Sequence, residues 1–439
     1  MPSPSALPSY AFREELPNLI EMGLKGISDV AAMIPREILT ARCVQLPSPP
    51  IGPKAPLVIA DPELAREVLL DRDGKFGRDI LMKRLMRRSW GRGLAAAEGD
   101  DWRRQRKAAA PMFRSGEVSK YAPSFARAAN DVVSEWDDGE VVDLSEIAGR
   151  IVARVVFGVL VSSGHDVDQD AVAAEMPHYV DRIAGFDLFD LLPLPESLHD
   201  RMRGLHRNPS VSRLAAIADD IAAGRPDGGV AGFPGAMVGA GPLADNIRGL
   251  FPAAMDTTTE AVVWSLLALA YHPEWQQRVA EESRNCADQP SIEAMPITRS
   301  VVKEALRLFP PAPMLVRAAE CELTLGGRQV ARGQTVAISI YAMHRHRDLW
   351  GQPDVFDPSR WLGAGVDNPA YMPFGYGPRI CVAAQFALLE VMTVTAQVVS
   401  RFALEPYGDA PQIGLQVTTR PLSAARVTAR YRSVEATAG

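Results

Sequence analysis

The chain has little cysteine: Cys43, Cys286, Cys321 and Cys381 are the only four in 439 residues, and no two form a CxxC pair. That spacing excludes a zinc ribbon and a disulfide framework, and it fits a reducing compartment. Positive charge is not in excess either. The formal net charge of -6 argues against nucleic acid as a general partner, because phosphate backbones reward basic surfaces. Long apolar runs are missing too: "LPNLIEMGLKGISDVAAMIP" is interrupted by Glu21, Lys25 and Asp29, so neither a signal peptide nor a membrane anchor is expected there. No internal repeat is visible, which excludes solenoid architectures. What remains is 47% hydrophobic and 23% charged, the balance of a globular protein with a large core. A cytoplasmic monomer is the default expectation.

From about residue 56 the sequence alternates short extended pieces with helices. "PLVIADPELAREVLL" reads as a strand, then Asp61 as N-cap and Pro62 at the first helical position. The stretch from "DWRRQRKAAAPMF" to "EWQQRVAEESRN" has mostly helical periodicity, interrupted by "AAGRPDGGVAGFPGAMVGAGP", whose glycines predict a mobile loop. After residue 320, "CELTLGGRQVARGQTVAISI" predicts a small antiparallel sheet, and "LQVTTRPLSAARVTARY" a closing hairpin.

One segment carries chemistry. In "PFGYGPRICVAAQFALLE", Gly375 and Gly377 permit a tight loop, and helical periodicity resumes after Cys381. A thiol at a helix start is placed to become a thiolate, which a soft metal or haem iron would require. Taken alone, a single cysteine reads more readily as core. Three other stretches stand out. In "VVKEALRLFPP", Glu304 and Arg307 share a helical face, a spacing that by itself marks an ordinary ion pair. In "DNIRGLFPAAMDTTTEAVVWSLLALAYHP", Asp256 precedes three threonines that could simply bond back to the preceding turn. In "DWRRQRK", Trp102 and Arg106 lie on one side of a helix, as in any amphipathic surface helix.

Taken in their order along the chain, the four stretches resemble the motifs of the cytochrome P450 family. FxxGxRxC is filled by Phe374, Gly377, Arg379 and Cys381, with Ala383 where the family usually has glycine. Glu304 and Arg307 resemble ExxR, and "FDPSRW" supplies Arg360 as their third partner, with Trp361 where phenylalanine is commoner. The resemblance covers roughly residues 56 to 430. It implies a mainly α fold with small β-sheets (α+β): one haem-enclosing domain over 56–435, with residues 1–55 packing on or leading into it.

The resemblance also implies roles. Cys381 would be the axial ligand of haem b, with Phe374, Gly377 and Ala383 around the sulfur. Ala383 would pack closer against the haem than glycine does. Arg379, Trp102, Arg106 and Arg317 would bind the haem, its propionates above all, and Glu304, Arg307 and Arg360 would form a buried structural triad. Ala253 and Ala254 would open an oxygen groove in which Asp256 and Thr257 relay protons. Met314, Leu315 and Val316 would face substrate, or serve equally well as core. Pro252 has no N–H for the carbonyl of Arg248, so a kink one turn before the groove is expected.

The activity implied is a monooxygenase that inserts one oxygen atom from O2 into a small or medium hydrophobic substrate. A terpenoid is favoured because no cation or tyrosine is assignable to a fatty-acid carboxylate; steroid and fatty-acid hydroxylases are alternatives. The pocket is expected around residues 75 to 97, "MPHYVDRIAGFDLFDLLPLP", the groove helix and the strand after Arg317. Asp256 and Thr257 count against a peroxide-driven peroxygenase and against a non-catalytic haem sensor. Electrons are expected from a separate ferredoxin, or a flavodoxin, with its reductase. The docking face would lie between residues 83 and 107, where nine Lys or Arg meet three acids.

Overall fold

Asp61 and Pro62 act as their order dictates. The computed structural model describes residues 7–12, 14, 34–46, 54–161, 167–184, 208–223, 232–286, 290–363 and 368–432. In it, strands β1 (Cys43–Gln45) and β2 (Leu57–Ile59) pair antiparallel, and helix α1 (Pro62–Leu70) follows at once. The Asp61 carboxylate accepts from the N–H groups of Glu63 and Leu64, and Pro62 removes a donor that would otherwise lack a partner.

Helices dominate the rest. They include α2 (Ile80–Trp90), α3 (Gly99–Ala109), α4 (Ala122–Val133), α5 (Leu144–Val155), α6 (Gln169–Ala184), α7 (Pro209–Ala223) and α8 (Leu243–Phe251). After them come α9 (Thr257–Tyr271), α10 (Pro273–Asn285), α11 (Pro296–Leu308) and α12 (Ala384–Arg401). Helix α9 is apolar on nearly every face and buried along most of its length, as a central helix must be. Its Trp264 stacks on Phe309 with ring centroids 4.2 Å apart, and both are fully buried.

The strands form small sheets, so the architecture is mainly α with minor β. Strands β3 (Phe76–Gly77), β5 (Met314–Ala319) and β8 (Thr335–Ser339) join β1 and β2 in a five-stranded sheet of order β1-β2-β8-β5-β3. Because β1 pairs across residue 55, the N-terminal segment contributes to the same sheet as the rest. Strands β4 (Glu140–Asp143), β9 (Phe402–Pro406) and β12 (Arg426–Tyr431) form a three-stranded sheet. Strands β6 (Leu323–Leu325) and β7 (Arg328–Val330) make one hairpin, and β10 (Ile413–Leu415) and β11 (Thr419–Pro421) another.

Three sequence expectations change here. The run after residue 320 is not one sheet: β6 and β7 pair locally, but β8 is drawn into the five-stranded sheet, where it runs parallel to β2 and antiparallel to β5. The closing hairpin ends at Pro421, and β12 leaves it to pair with β4 and β9. Part of the glycine-rich passage is a helical turn, Gly232–Met237, because Phe233 and Met237 are buried against the core. Residues 224–231 of that passage, and 185–195 of the expected pocket wall, lie outside the described residues.

The helix around Pro252 is interrupted. Helix α8 ends at Phe251, Pro252–Asp256 form a wider π-helical turn, and α9 begins at Thr257. Proline offers no N–H to the Arg248 carbonyl, and a π-turn is a known way to absorb that loss. No described helix is long and apolar enough to cross a membrane.

Candidate active site

The loop before α12 is held by its backbone. Gly375 and Gly377 take φ of 77° and 76°, in the left-handed region. A side chain at Gly377 would meet the Leu69 carbonyl oxygen at 2.4 Å, so this glycine is required by packing against α1. The loop closes where the Cys381 N–H donates to the Phe374 carbonyl at 3.0 Å.

The Cys381 side chain is accessible, yet burial in the protein interior pushes its thiol pKa up. An accessible group at that depth faces an internal space rather than the outer surface. Helix α12 starts three residues later, at Ala384, so the helix start alone does not hold a thiolate. The Ala383 N–H bonds to the sulfur and Arg106 lies near it, and both pull the thiol pKa back down without offsetting burial. A bound cation would supply what the loop does not. Ala383 has φ of -98°, an ordinary conformation for a residue with a side chain, so alanine replaces glycine here without backbone strain.

Four guanidinium groups converge near this loop. Arg379 lies over the Trp102 ring at 4.6 Å and donates twice to the Ala97 carbonyl at 3.2 Å. Arg78 donates to the Ala95 carbonyl, and Arg317 to the Val316 carbonyl at 2.9 Å. Burial pushes the Arg78 pKa down to about 10, aided by the charges of Arg379 and Arg317. Burial likewise lowers Arg317, with Arg379 adding to it, and burial lowers Arg379 and Arg106. Among the described residues none of the four has a carboxylate within ion-pair distance. Buried cations with no carboxylate in ion-pair contact, only the more distant charges of Glu98 and Asp71 opposing the loss, form a site for an anionic ligand. An accessible thiol beside such a cradle fits haem, which brings two propionates and an iron. No cluster of His, Cys, Asp and Glu able to hold a bare metal ion occurs among the described residues.

Helix α3 is fixed in place for this task. The Asn246 amide donates to Gln105 Oε1 at 2.8 Å, the Gln105 amide donates to the Arg92 carbonyl at 3.1 Å, and the Leu94 N–H donates to Asn246 Oδ1 at 2.8 Å. This buried link ties α3 to α8 and sets the side that bears Trp102 and Arg106.

Glu304, Arg307 and Arg360 meet. Arg307 donates to both Glu304 oxygens, at 2.9 and 2.7 Å, and Arg360 Nε donates to Glu304 Oε1 at 2.9 Å. Glu304 and Arg307 are fully buried, so this is not the surface pair that spacing alone would suggest. Trp361 has its own role: its indole N–H donates to Glu304 Oε2 at 2.8 Å, a bond phenylalanine could not make. His344 connects this cluster to the cysteine loop. Its Nδ1 lies 3.1 Å from the Arg307 carbonyl, and its Nε2 accepts from the Met372 N–H at 2.9 Å.

On the α9 side, Ala253 is exposed although Pro252 and Met255 beside it are buried, so the π-turn leaves this side chain accessible. Thr257 Oγ1 donates to the Ala253 carbonyl at 2.7 Å, which is the back-bonding expected of a helical threonine. Its lone pairs remain able to accept. Asp256 points elsewhere: it lies 3.5 Å from Arg420 Nη2 and bonds to Thr418, while burial raises its pKa. The acid and the alcohol are therefore neighbours in sequence that face different partners. Met314, Leu315 and Val316 are half-buried on β5, and Leu315 approaches Gly375 to within 3.5 Å of where its Cβ would stand.

Sequence reasoning missed Arg78, Trp361 as a donor, and His344. Only Trp361 had a signal, its departure from phenylalanine.

A family model for cytochrome P450 matches residues 45–213 and 241–423. A cyclooctat-9-en-7-ol 5-monooxygenase of Streptomyces melanosporofaciens is 29% identical over 395 residues, covering 81% of this chain and 82% of its own length. A cytokinin hydroxylase of Arabidopsis thaliana is 26% identical, covering 83% and 79%. The crystal structure of a six-coordinated cytochrome P450 from Thermus thermophilus matches with a TM-score of 0.66 at 28% identity, over 85% of this chain and 92% of that one. The fold and the anion cradle define a haem enzyme. The chain belongs to the cytochrome P450 family, and its activity is that of a haem-dependent monooxygenase.

Proposed function

We propose that Cys381 is the axial thiolate of haem b and that the enzyme oxygenates a hydrophobic, terpenoid-like molecule with electrons from an acidic ferredoxin. The observation that carries this reading is the accessible Cys381 thiol set beside four guanidiniums that have no carboxylate within ion-pair distance among the described residues. When bound, the haem supplies dioxygen binding and reductive O–O cleavage, which a thiolate ligand favours.

The protein supplies the rest. Arg78, Arg106, Arg317, Arg379 and Trp102 bind and orient the propionates. Glu304, Arg307 and Arg360, joined through His344 to Met372, keep the cysteine loop in register. Ala253 and Ala254 leave room at the π-turn for oxygen, and Thr257 accepts and passes on a proton there. Asp256 rests against Arg420 and Thr418, and its carboxyl must turn from them to hand a proton to Thr257. The presence of this acid and alcohol favours dioxygen over peroxide as oxidant.

Substrate lies against Ala253, Ala254, Met314, Leu315 and Val316, none of them charged, so apolar contact does the positioning. A relative whose name gives cyclooctat-9-en-7-ol as substrate supports this class. The basic face of α2 and α3 is the docking surface. There Arg103 and Arg104 are already paired with Asp100 and Asp101, which leaves exposed Lys107 as the cleaner site for charge reversal. Reversal at Lys107 should slow reduction by an acidic ferredoxin, and added salt should do the same in the parent.

The test of substrate class is an absorbance titration of the ferric protein with terpenes, steroids, fatty acids and alkyl aromatics. A saturable Soret shift with terpenes, weaker or absent with fatty acids, is expected. A shift with fatty acids alone would overturn the terpenoid reading.

A further inference from the structure

A second buried acid lies one helical turn beyond Asp256. Glu260 is 8% exposed, its Oε2 has no hydrogen-bond partner, and burial together with the charge of Asp256 holds its pKa well above the ordinary carboxylate value. Residues 256, 260 and 264 are spaced by four and share a helix face. That face lies under the β10–β11 hairpin, because Trp264 Nε1 donates to the Thr419 carbonyl at 2.9 Å and Arg420 reaches Asp256.

Charge is short at this place. The charged groups that reach Glu260 are Asp256 on its own run of helix and Arg420 on β11; Asp256 also feels Asp181 of α6 and bonds to Thr418. Arg420 is shared, since its other nitrogen donates to Asp181 at 2.7 Å, and Asp181 is 59% exposed. Three carboxyl groups thus compete for one guanidinium. Asp181 has water and Asp256 has Arg420 and Thr418. Glu260 feels the Arg420 charge without an ion-pair contact to it and keeps an unpartnered Oε2, so it is the member that remains a neutral acid.

We propose that Glu260 is a proton store for Asp256, the two carboxyl groups holding one proton between them beneath Arg420. The O–H bond of Glu260 breaks as one forms on Asp256, and Asp256 passes that proton on towards Thr257. The negative charge passes to Glu260, which is reloaded by a proton from solvent on the Asp181 side. No electrons are transferred in this exchange. Glu260 acts through Asp256 and is a positioning residue for the proton. The proposal rests on the haem reading above only for its functional consequence.

Infrared spectra of the ferric holoenzyme across pH test the first part. At neutral pH the parent should show a protonated-carboxyl band that is lost in Glu260→Gln. A second band from the buried Glu390 should persist, because that residue is also without a partner at Oε1. In Asp256→Asn the Glu260 band should persist at neutral pH and titrate at lower pH than in the parent, since the repelling charge is gone. An unchanged band in Glu260→Gln, or an unshifted titration in Asp256→Asn, would overturn the proposal. For function, Glu260→Gln should release more peroxide per electron and show a larger solvent isotope effect on turnover; parental values of both would also overturn it. The reduced carbon monoxide spectrum of each variant separates these outcomes from a failure of the haem reading.

Discussion

Acid should loosen the cysteine loop through one histidine. His344 is fully buried, and desolvation followed by the charge of Arg307 pushes its pKa down from 6.5 to about 3. Its Nε2 is needed as an acceptor for the Met372 N–H, so a proton there would set two donors against each other. The folded protein therefore binds fewer protons at this site than the unfolded chain between these two values. Stability from this group is fully present above pH 6.5 and is lost progressively as pH falls towards 3. From pH 7 to pH 5 the loss is about 2 kcal/mol, from roughly 1.5 pH units at 1.36 kcal/mol each. Urea midpoints of the holoenzyme at the two pH values, in the parent and in His344→Gln, measure it. Glutamine keeps an acceptor for Met372 but does not titrate. Its loss on acidification should be smaller than the parent's by about 2 kcal/mol. Other buried acids and His346 titrate in both proteins and cancel in the difference. Equal losses would show that His344 is not held neutral by its place between Arg307 and Met372.

Other outcomes follow from the same contacts. Trp361→Phe removes a donor to a fully buried carboxylate and leaves a smaller ring beneath Lys303, and should destabilise the protein by about 2–4 kcal/mol in urea unfolding; a change below about 0.5 kcal/mol would contradict the assigned bond. Arg78→Met removes a buried cation from the propionate cradle, and haem transfer to an acceptor apoprotein should be about tenfold faster or more, corresponding to the loss of one charge-assisted hydrogen bond. Thr257→Ala should raise peroxide release per electron consumed, whereas unchanged coupling would remove the hydroxyl from proton delivery.

The motifs were legible because their chemistry is local. Asp61 before Pro62 specifies a cap, two glycines specify the loop before Cys381, and Glu304 with Arg307 needs only one helical turn. Pro252 announced its break by lacking an N–H, although not that a π-turn would absorb it. Parts of the site built by long-range convergence left no such signal. Arg78 is one arginine in "KFGRDI", and it matters only because β3 lies beside β5 and carries it towards Arg317 and Arg379. Nothing in the sequence singled out His344 or Glu260. Their burial, and the partners that constrain them, come from elements packed on from distant parts of the chain. The fate of β8 was hidden for the same reason, since its neighbour β2 lies far away in sequence.

The central claim is that Cys381 binds the haem iron as a thiolate. The carbon monoxide difference spectrum of the reduced protein tests it most directly, with Cys381→His beside the parent. The parent should show the red-shifted Soret band of a thiolate-ligated complex, and Cys381→His should move it to the imidazole position. A parent that already absorbs at the imidazole position, or a parental spectrum that survives replacement of Cys381, would contradict the assignment.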